Sequence, residues 1–290
     1  MDLKLTDEKL KKLMVVPFII LGIALLFLSM SYMETGQFLK RGIDLEGGIQ
    51  ITVPHEEKID TNDFELFLEG IYEQSDIEVV TTTDPATRQP QSVVVSVSGD
   101  PDEAEVLSSI EDYLDKSFER TEYSVTAVGP ALAGNFWQQA KMAFAFAFIL
   151  MMVVVAVTYK SVAPSAAIIL STVYDFTVVL GAMAFFDIRL SLASFAALLM
   201  IIGYEVDTNI LITDKIIKQD KGGVFERLNY SLKTGLTVSG TTLSVLLALF
   251  FFTNSIILKQ ISGILIIGTL ADIPNTWILN TNLLIRWPKK

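Results

Sequence analysis

Four acids lie where the chain is otherwise apolar. Glu205 and Asp207 interrupt the run Leu199-Met-Ile-Ile-Gly203-Tyr204-Glu205-Val206-Asp207-Thr208-Asn209-Ile210-Leu211-Ile212, while Asp175 sits in an earlier run and Asp272 in a later one. An ionised carboxylate at mid-bilayer depth costs about 2.5–3.5 kcal/mol even on the lenient insertion scale, so such a group faces protein, water or an ion path. The chemistry open to it is the gain and loss of a proton, and each charge moved through 100 mV is worth about 2.3 kcal/mol. Two residues along a helix is about 200° of rotation, so Glu205 and Asp207 cannot share a face. Asp207 is the first candidate for proton work, with Glu205, Asp175 and Asp272 behind it. The competing reading for each is a hydrogen-bonded acid that fixes a helix contact. Asp214 lies on the face of Asp207 two turns later, beside Lys215, and reads as an anchor at the membrane exit.

A second polar group follows. Lys233, Thr234, Thr237, Ser239, Thr241 and Thr242, interleaved with Gly235 and Gly240, form a small, hydroxylated stripe of the kind that lets membrane helices approach closely. In a hairpin with the preceding span it reaches the level of Asp207, where hydroxyls could bond the acid or hold water. Lys233 has two readings, an inward counter-ion or an ordinary snorkelling side chain.

These groups need a membrane scaffold, and composition supplies one. Hydrophobic residues make up 51% of 290 positions, too many for one soluble core. Six runs are long enough to cross the hydrocarbon: about 13–32, 142–159, 163–186, 190–213, 232–253 and 257–284. Bases flank them unevenly. Lys4, Lys9, Lys11 and Lys12 precede the first, Lys160 follows the second, and Lys215, Lys218, Lys221, Arg227 and Lys233 lie between the fourth and fifth. Arg286, Lys289 and Lys290 end the chain, and only Arg189 and Lys259 occupy the opposite short loops. Both termini are expected on the cytoplasmic side. The chain divides into an N-terminal tail with the first span (1–32), an outer domain (33–137), and five further spans with the C-terminal tail (138–290).

Residues 33–137 carry 22 acids against 6 bases, which leaves the remainder net basic. An acidic outer face over basic inner loops argues for a lipid bilayer and against nucleic acid as partner. With no cysteine, thiol chemistry is excluded, and a single histidine, His55, is too few for a histidine-based metal site.

Within the outer domain, Ile49, Ile51 and Val53 alternate with polar residues as a strand does. Phe64, Phe67, Leu68, Ile71 and Tyr72 then recur at helical spacing, with Thr61 or Asn62 as expected N-cap. Strands over about 77–82 and 92–98 flank a turn region at Asp84-Pro85 and Gln89-Pro90. Val106, Ile110, Tyr113 and Leu114 form a second helix, and Tyr123, Val125 and Ala127 a last strand. This β-α-β-β-α-β order is ferredoxin-like, two helices on one sheet face and the other face open to solvent, an extended client or a partner domain.

Arg41-Gly42-Ile43-Asp44-Leu45-Glu46-Gly47-Gly48 opens the first strand. It lacks the Gly-Lys-Ser/Thr element of a phosphate-binding loop, and its glycines suit a tight turn where domain meets membrane. No nucleotide or other cofactor site is visible. With Val128-Gly129-Pro130, Tyr174-Asp175-Phe176, Gly203-Tyr204 and its following Asn209, and Gly268-Thr269-Leu270-Ala271-Asp272-Ile273, this segment resembles the SecD/SecF family along nearly the whole chain, at the length of the SecF branch and with an archaeal look. The resemblance implies a multi-pass α-helical membrane protein, six transmembrane helices forming half of an RND-type transporter fold, with one extracytoplasmic α+β domain between the first two helices. It implies a non-enzymatic role with SecD as partner beside the Sec protein-conducting channel, assisting a translocating polypeptide under the proton-motive force. Bacterial SecF chains carry Gly-Tyr-Ser-x-Asn-Asp in the fourth span, so Asp207 falls on the asparagine position and Thr208 on the aspartate position. Their arginine early in the fifth span is Thr234 here. Two alternatives stay open: an RND-type lipid or small-molecule exporter, and a proton-independent scaffold.

Overall fold

The structure is a computed structural model that describes residues 5–73, 75–217 and 223–286. Lys4, Lys218, Lys221, Lys289 and Lys290, counted above among the flanking bases, lie outside the described residues. Helix α1 (Asp7–Leu13) leads into α2 (Val15–Thr35), and a short α3 (Ile43–Glu46) precedes β1 (Gly48–Pro54). Then come α4 (Thr61–Glu69), β2 (Ile77–Thr83), β3 (Pro90–Ser98), α5 (Glu103–Leu114) and β4 (Ser124–Val128). Five long helical stretches follow: α6 (Pro130–Tyr159), α7 (Val162–Phe185), α8 (Leu192–Ile217), α9 (Val224–Phe252), and α10 (Ile256–Pro274), which continues through a π-helical segment, Asn275–Asn280, into α11 (Thr281–Arg286).

Six helical stretches among the described residues are long and apolar enough to span a membrane. Two of them begin well before their apolar runs. α6 starts at Pro130 rather than near Met142, because proline's fixed φ suits a first helical turn, and α9 starts at Val224 rather than Leu232. An apolar window reports only the part of a helix that sits in hydrocarbon, and polar turns extend both. α7, α8 and the last stretch are the most enclosed, with α2, α6 and α9 around them.

The sheet runs β2-β3-β1-β4, antiparallel throughout. Ile49, Ile51, Val53, Val79, Val93, Val95 and Val97 present one face, on which α4 and α5 lay Phe64, Leu68, Val106 and Ile110. The cap of α4 is Asp60, one residue before the expected Thr61: its carboxylate accepts from the backbone N–H of Asn62 at 3.0 Å and of Asp63 at 3.4 Å. The other sheet face is open as expected at β4, where Ser124 and Thr126 are exposed, but not at β3. Val94, Ser96 and Ser98 are buried, and Val80 to Thr83 border a small cavity shared with Thr253, Asn254, Ile256 and Lys259 of the α9–α10 turn. At its β2 edge the domain therefore abuts the α9–α10 turn of its own membrane part.

The Arg41–Gly48 segment makes the junction. Gly47 and Gly48 have φ of 92° and 151°, and a Cβ on Gly48 would lie 2.3 Å from the Val97 carbonyl oxygen. Only glycine lets the chain turn from α3 into β1 here. Arg41 donates through Nε to Gln37 Oε1 at 3.1 Å and stacks over Trp137, while Gly42 packs on Ser191 and Asp44 is half-buried in α3.

Inside the membrane part, α2 meets α7 at Gly181, where an added Cβ would fall 2.5 Å from Ala24 Cα. Without a hydrophobic drive between helices in lipid, such close approach holds them together. Gly181→Val is expected to lower stability by about 1–3 kcal/mol through overpacking. Gly22→Val in α2, where nothing lies within 4 Å, is the control. Thermal unfolding in detergent reads both, and equal melting temperatures would contradict the packing account.

Candidate functional site

The enclosed acids come from three helices. α7 contributes Asp175, α8 Glu205 and α10 Asp272, all three buried within this chain alone and interacting electrostatically as one group. The chain's own helices enclose Asp175 and Asp272. Asp175 accepts from Asn275 Nδ2, which also donates to the Ser171 carbonyl at 2.8 Å. Asp272 accepts from Thr276 Oγ1, while Thr208, whose hydroxyl donates to the Tyr204 carbonyl at 3.3 Å, lines the same cavity as Asp272. Glu205 differs from both. Its two carboxylate oxygens, and Asp175 Oδ1, have no hydrogen-bond partner among the described residues.

One carboxamide ties these elements together. Asn209 Oδ1 accepts from Ser171 Oγ of α7 at 3.0 Å, and Thr276 Oγ1 and Asn280 Nδ2 of the π segment also point at it. Its Nδ2 donates to the Glu205 carbonyl at 3.0 Å. The π segment makes this possible. Pro274 has no N–H for the carbonyl one turn back, and the wider turn after it aims Asn275, Thr276 and Asn280 inward together. These three residues and Ser171 are absent from the candidates drawn from sequence. Their signal was available: a proline followed by amides inside the last apolar run.

Asp207 lies on the opposite side of α8, exposed in this chain, as the 200° rotation requires. It borders a cavity of about 400 Å³ with Tyr204, Thr208, Gly235, Ser239, Thr242, Thr269 and Asp272. The cavity thus reaches from the exposed acid to a buried one. Of the fifth-helix stripe, Ser239 and Thr242 face it, whereas Lys233, Thr234, Thr237 and Thr241 are exposed. Thr234 and Thr237 donate to their own helix, to the carbonyls of Tyr230 at 3.3 Å and Lys233 at 2.8 Å. Lys233 does not turn inward as a counter-ion. Gly203 is exposed; Tyr204 points to α10, its hydroxyl 3.2 Å from Thr269 Oγ1. Asp214 accepts from Tyr159 at 2.9 Å. Among the described residues no group of three or more His, Asp or Glu side chains is arranged to hold a metal ion.

Comparison with known proteins bears on the family and the fold. Residues 109–290 match the family described as protein export membrane protein SecD/SecF, C-terminal. The protein-export membrane protein SecF of Pyrococcus furiosus is 35% identical over 274 residues, covering 94% of this chain and 90% of the relative. That of Methanocaldococcus jannaschii is 34% identical over 272 residues, covering 92% and 93%. The crystal structure of SecDF, a translocon-associated membrane protein from Thermus thermophilus, superposes with a TM-score of 0.77 at 22% identity over 99% of this chain. This chain spans 39% of that one, so the likeness is one of fold. With the family match over more than half its length and full-length relatives above 30% identity, the chain belongs to the SecD/SecF family of protein-export membrane proteins.

Proposed function

We propose that this chain is the SecF-type subunit of a SecD–SecF accessory to the Sec protein-conducting channel, and that proton movement through its buried acids assists a translocating polypeptide. The observation that carries the reading is Glu205, fully enclosed with neither carboxylate oxygen bonded among the described residues. Ionising such a group in place costs several kcal/mol. It ionises only if helices shift to admit water or a donor, so proton occupancy and helix packing change together. That linkage is the elementary requirement of a proton-driven device.

The assignment among the acids follows from their surroundings. Glu205 is the coupling acid, Asp175 and Asp272 set its electrostatic environment, and Asp207 is the entry acid, linked to Asp272 by the shared cavity. An exposed carboxylate within a membrane span needs cover, and a SecD-type partner seated against α8 supplies it. The relatives named SecF support the choice of partner. We place the chain in the cytoplasmic membrane with both termini inside and residues 33–137 outside, from the distribution of flanking bases.

Three measurements test this reading. In vesicles containing the chain, its SecD-type partner and the Sec channel, Glu205→Gln is expected to abolish the part of translocation that depends on a proton gradient, and Asp207→Asn to slow it. Wild-type rates that are equal with and without the gradient would favour the scaffold reading. Filling the cavity with Thr242→Leu is expected to reduce gradient-dependent translocation while leaving co-purification with the partner intact; unchanged translocation would remove the cavity from the path. Because the chain has no cysteine, a membrane-impermeant maleimide should label Ser108→Cys but not Lys160→Cys in intact cells. The reverse pattern would invert the orientation.

A further inference from the structure

Arg189, in the turn between α7 and α8, is only 6% exposed although it lies outside the helices. Its guanidinium reaches into the outer domain. Nη1 and Nη2 donate to the two carboxylate oxygens of Asp76, the second at 3.0 Å, and Nη2 also donates to the Ile77 carbonyl. Glu78 lies 3.4 Å from Nε. These partners lie at the start of β2, an edge strand, so the arginine also satisfies a carbonyl there that no neighbouring strand pairs. Burial pushes the Glu78 carboxyl above the usual carboxylate range against the pull of Arg189, with Asp187, Asp76 and Glu65 adding to the rise. Asp76, held by two parallel bonds, is the principal counter-ion.

The backbone of the same residue is tied in the other direction. The Arg189 carbonyl accepts from Ser194 Oγ of α8 at 2.8 Å and from Gln260 Nε2 of α10 at 2.9 Å. Ser191 Oγ donates to Gln260 Oε1 at 3.0 Å, which ties the two helix ends to each other. Leu190, next in sequence, donates to the Lys40 carbonyl at 2.8 Å and accepts from Gly42 N–H at 2.9 Å, holding the turn to the segment that leads into the domain. One residue thus joins the domain's edge strand to α8 and α10, the helices that carry Glu205 and Asp272.

We infer that Arg189 is the positioning residue through which displacement of α8 and α10 is passed to the outer domain. The inference rests on the proton-coupled reading above for the origin of the displacement. The ion pair supplies what transmission needs. It is bidentate, which fixes direction as well as distance, and its arginine is buried while Asp76 is partly so, which reduces screening by salt.

The test uses the full chain reconstituted with its SecD-type partner and the Sec channel. Spin labels at Ser108→Cys on α5 and Ile257→Cys on α10 report the distance between domain and membrane part, and polypeptide export is measured with and without a proton gradient. Arg189→Gln is expected to broaden a narrow distance distribution and to reduce export by about fivefold or more, the low end of ordinary coupling between sites. The exchange of Asp76→Arg with Arg189→Asp is expected to restore both, which a residue needed only for folding would not allow. A distribution that stays narrow in Arg189→Gln overturns the inference, as does a broadened one with unchanged export. A wild type that exports equally with and without the gradient fails the proton reading alone, since the distance and total export still report on Arg189.

Discussion

The Asn209 carboxamide is where the membrane part is decided. In hydrocarbon no water is at hand for a stray polar group, so each must find its partner inside the protein. Ser171, Thr276 and Asn280 all direct donors at Asn209 Oδ1, from α7 and from the π segment. An amide oxygen has two lone pairs, and Thr276 has one hydroxyl hydrogen to divide between Asn209 and Asp272, so these bonds compete. The helices that carry Asp175, Glu205 and Asp272 therefore meet around a contact with more than one way of being satisfied. Remove it, and the enclosed acids lose the polar frame that keeps three helices in register.

Much of this was legible in the sequence because it is local. Alternation at Ile49, Ile51 and Val53 gave the strand, the spacing of Phe64 and Leu68 gave the helix over it, and the separation of Glu205 from Asp207 gave opposite faces of α8. What escaped depends on distance along the chain or on irregular backbone. Arg189 meets Asp76 across 113 positions, and nothing local to either announces the pair. The π segment turns Asn275, Thr276 and Asn280 to one side, which the 3.6-residue period does not anticipate. The approach of the α9–α10 turn to Val80–Thr83 is likewise long-range, and the strand pattern carries no sign of it.

The departure from the bacterial pattern at Asp207 and Thr208 acquires a physical meaning. Thr208 stands where those chains have an aspartate, and it lines the same cavity as Asp272. An acid at that position would confront Asp272 directly, whereas threonine offers a hydroxyl, and the acid of this chain lies one residue earlier at the mouth of the shared cavity. The same region is thus polar in both patterns, with its charge placed differently. The fifth-helix stripe divides in a similar way: Ser239 and Thr242 line the cavity, while hydroxyls a turn away are spent on their own helix.

α6 runs unbroken for 30 residues, about 45 Å, against a hydrocarbon core of about 30 Å. It leaves β4 through Val128-Gly129-Pro130 with no slack between sheet and helix, and Gly47 packs within 3.1 Å of where that helix begins, measured from the position a Cβ would take. A flexible tether would let the domain wander while the helices beneath it moved. This junction instead sets the orientation of the sheet by the axis of α6, so the domain has no angular freedom of its own where it joins that helix.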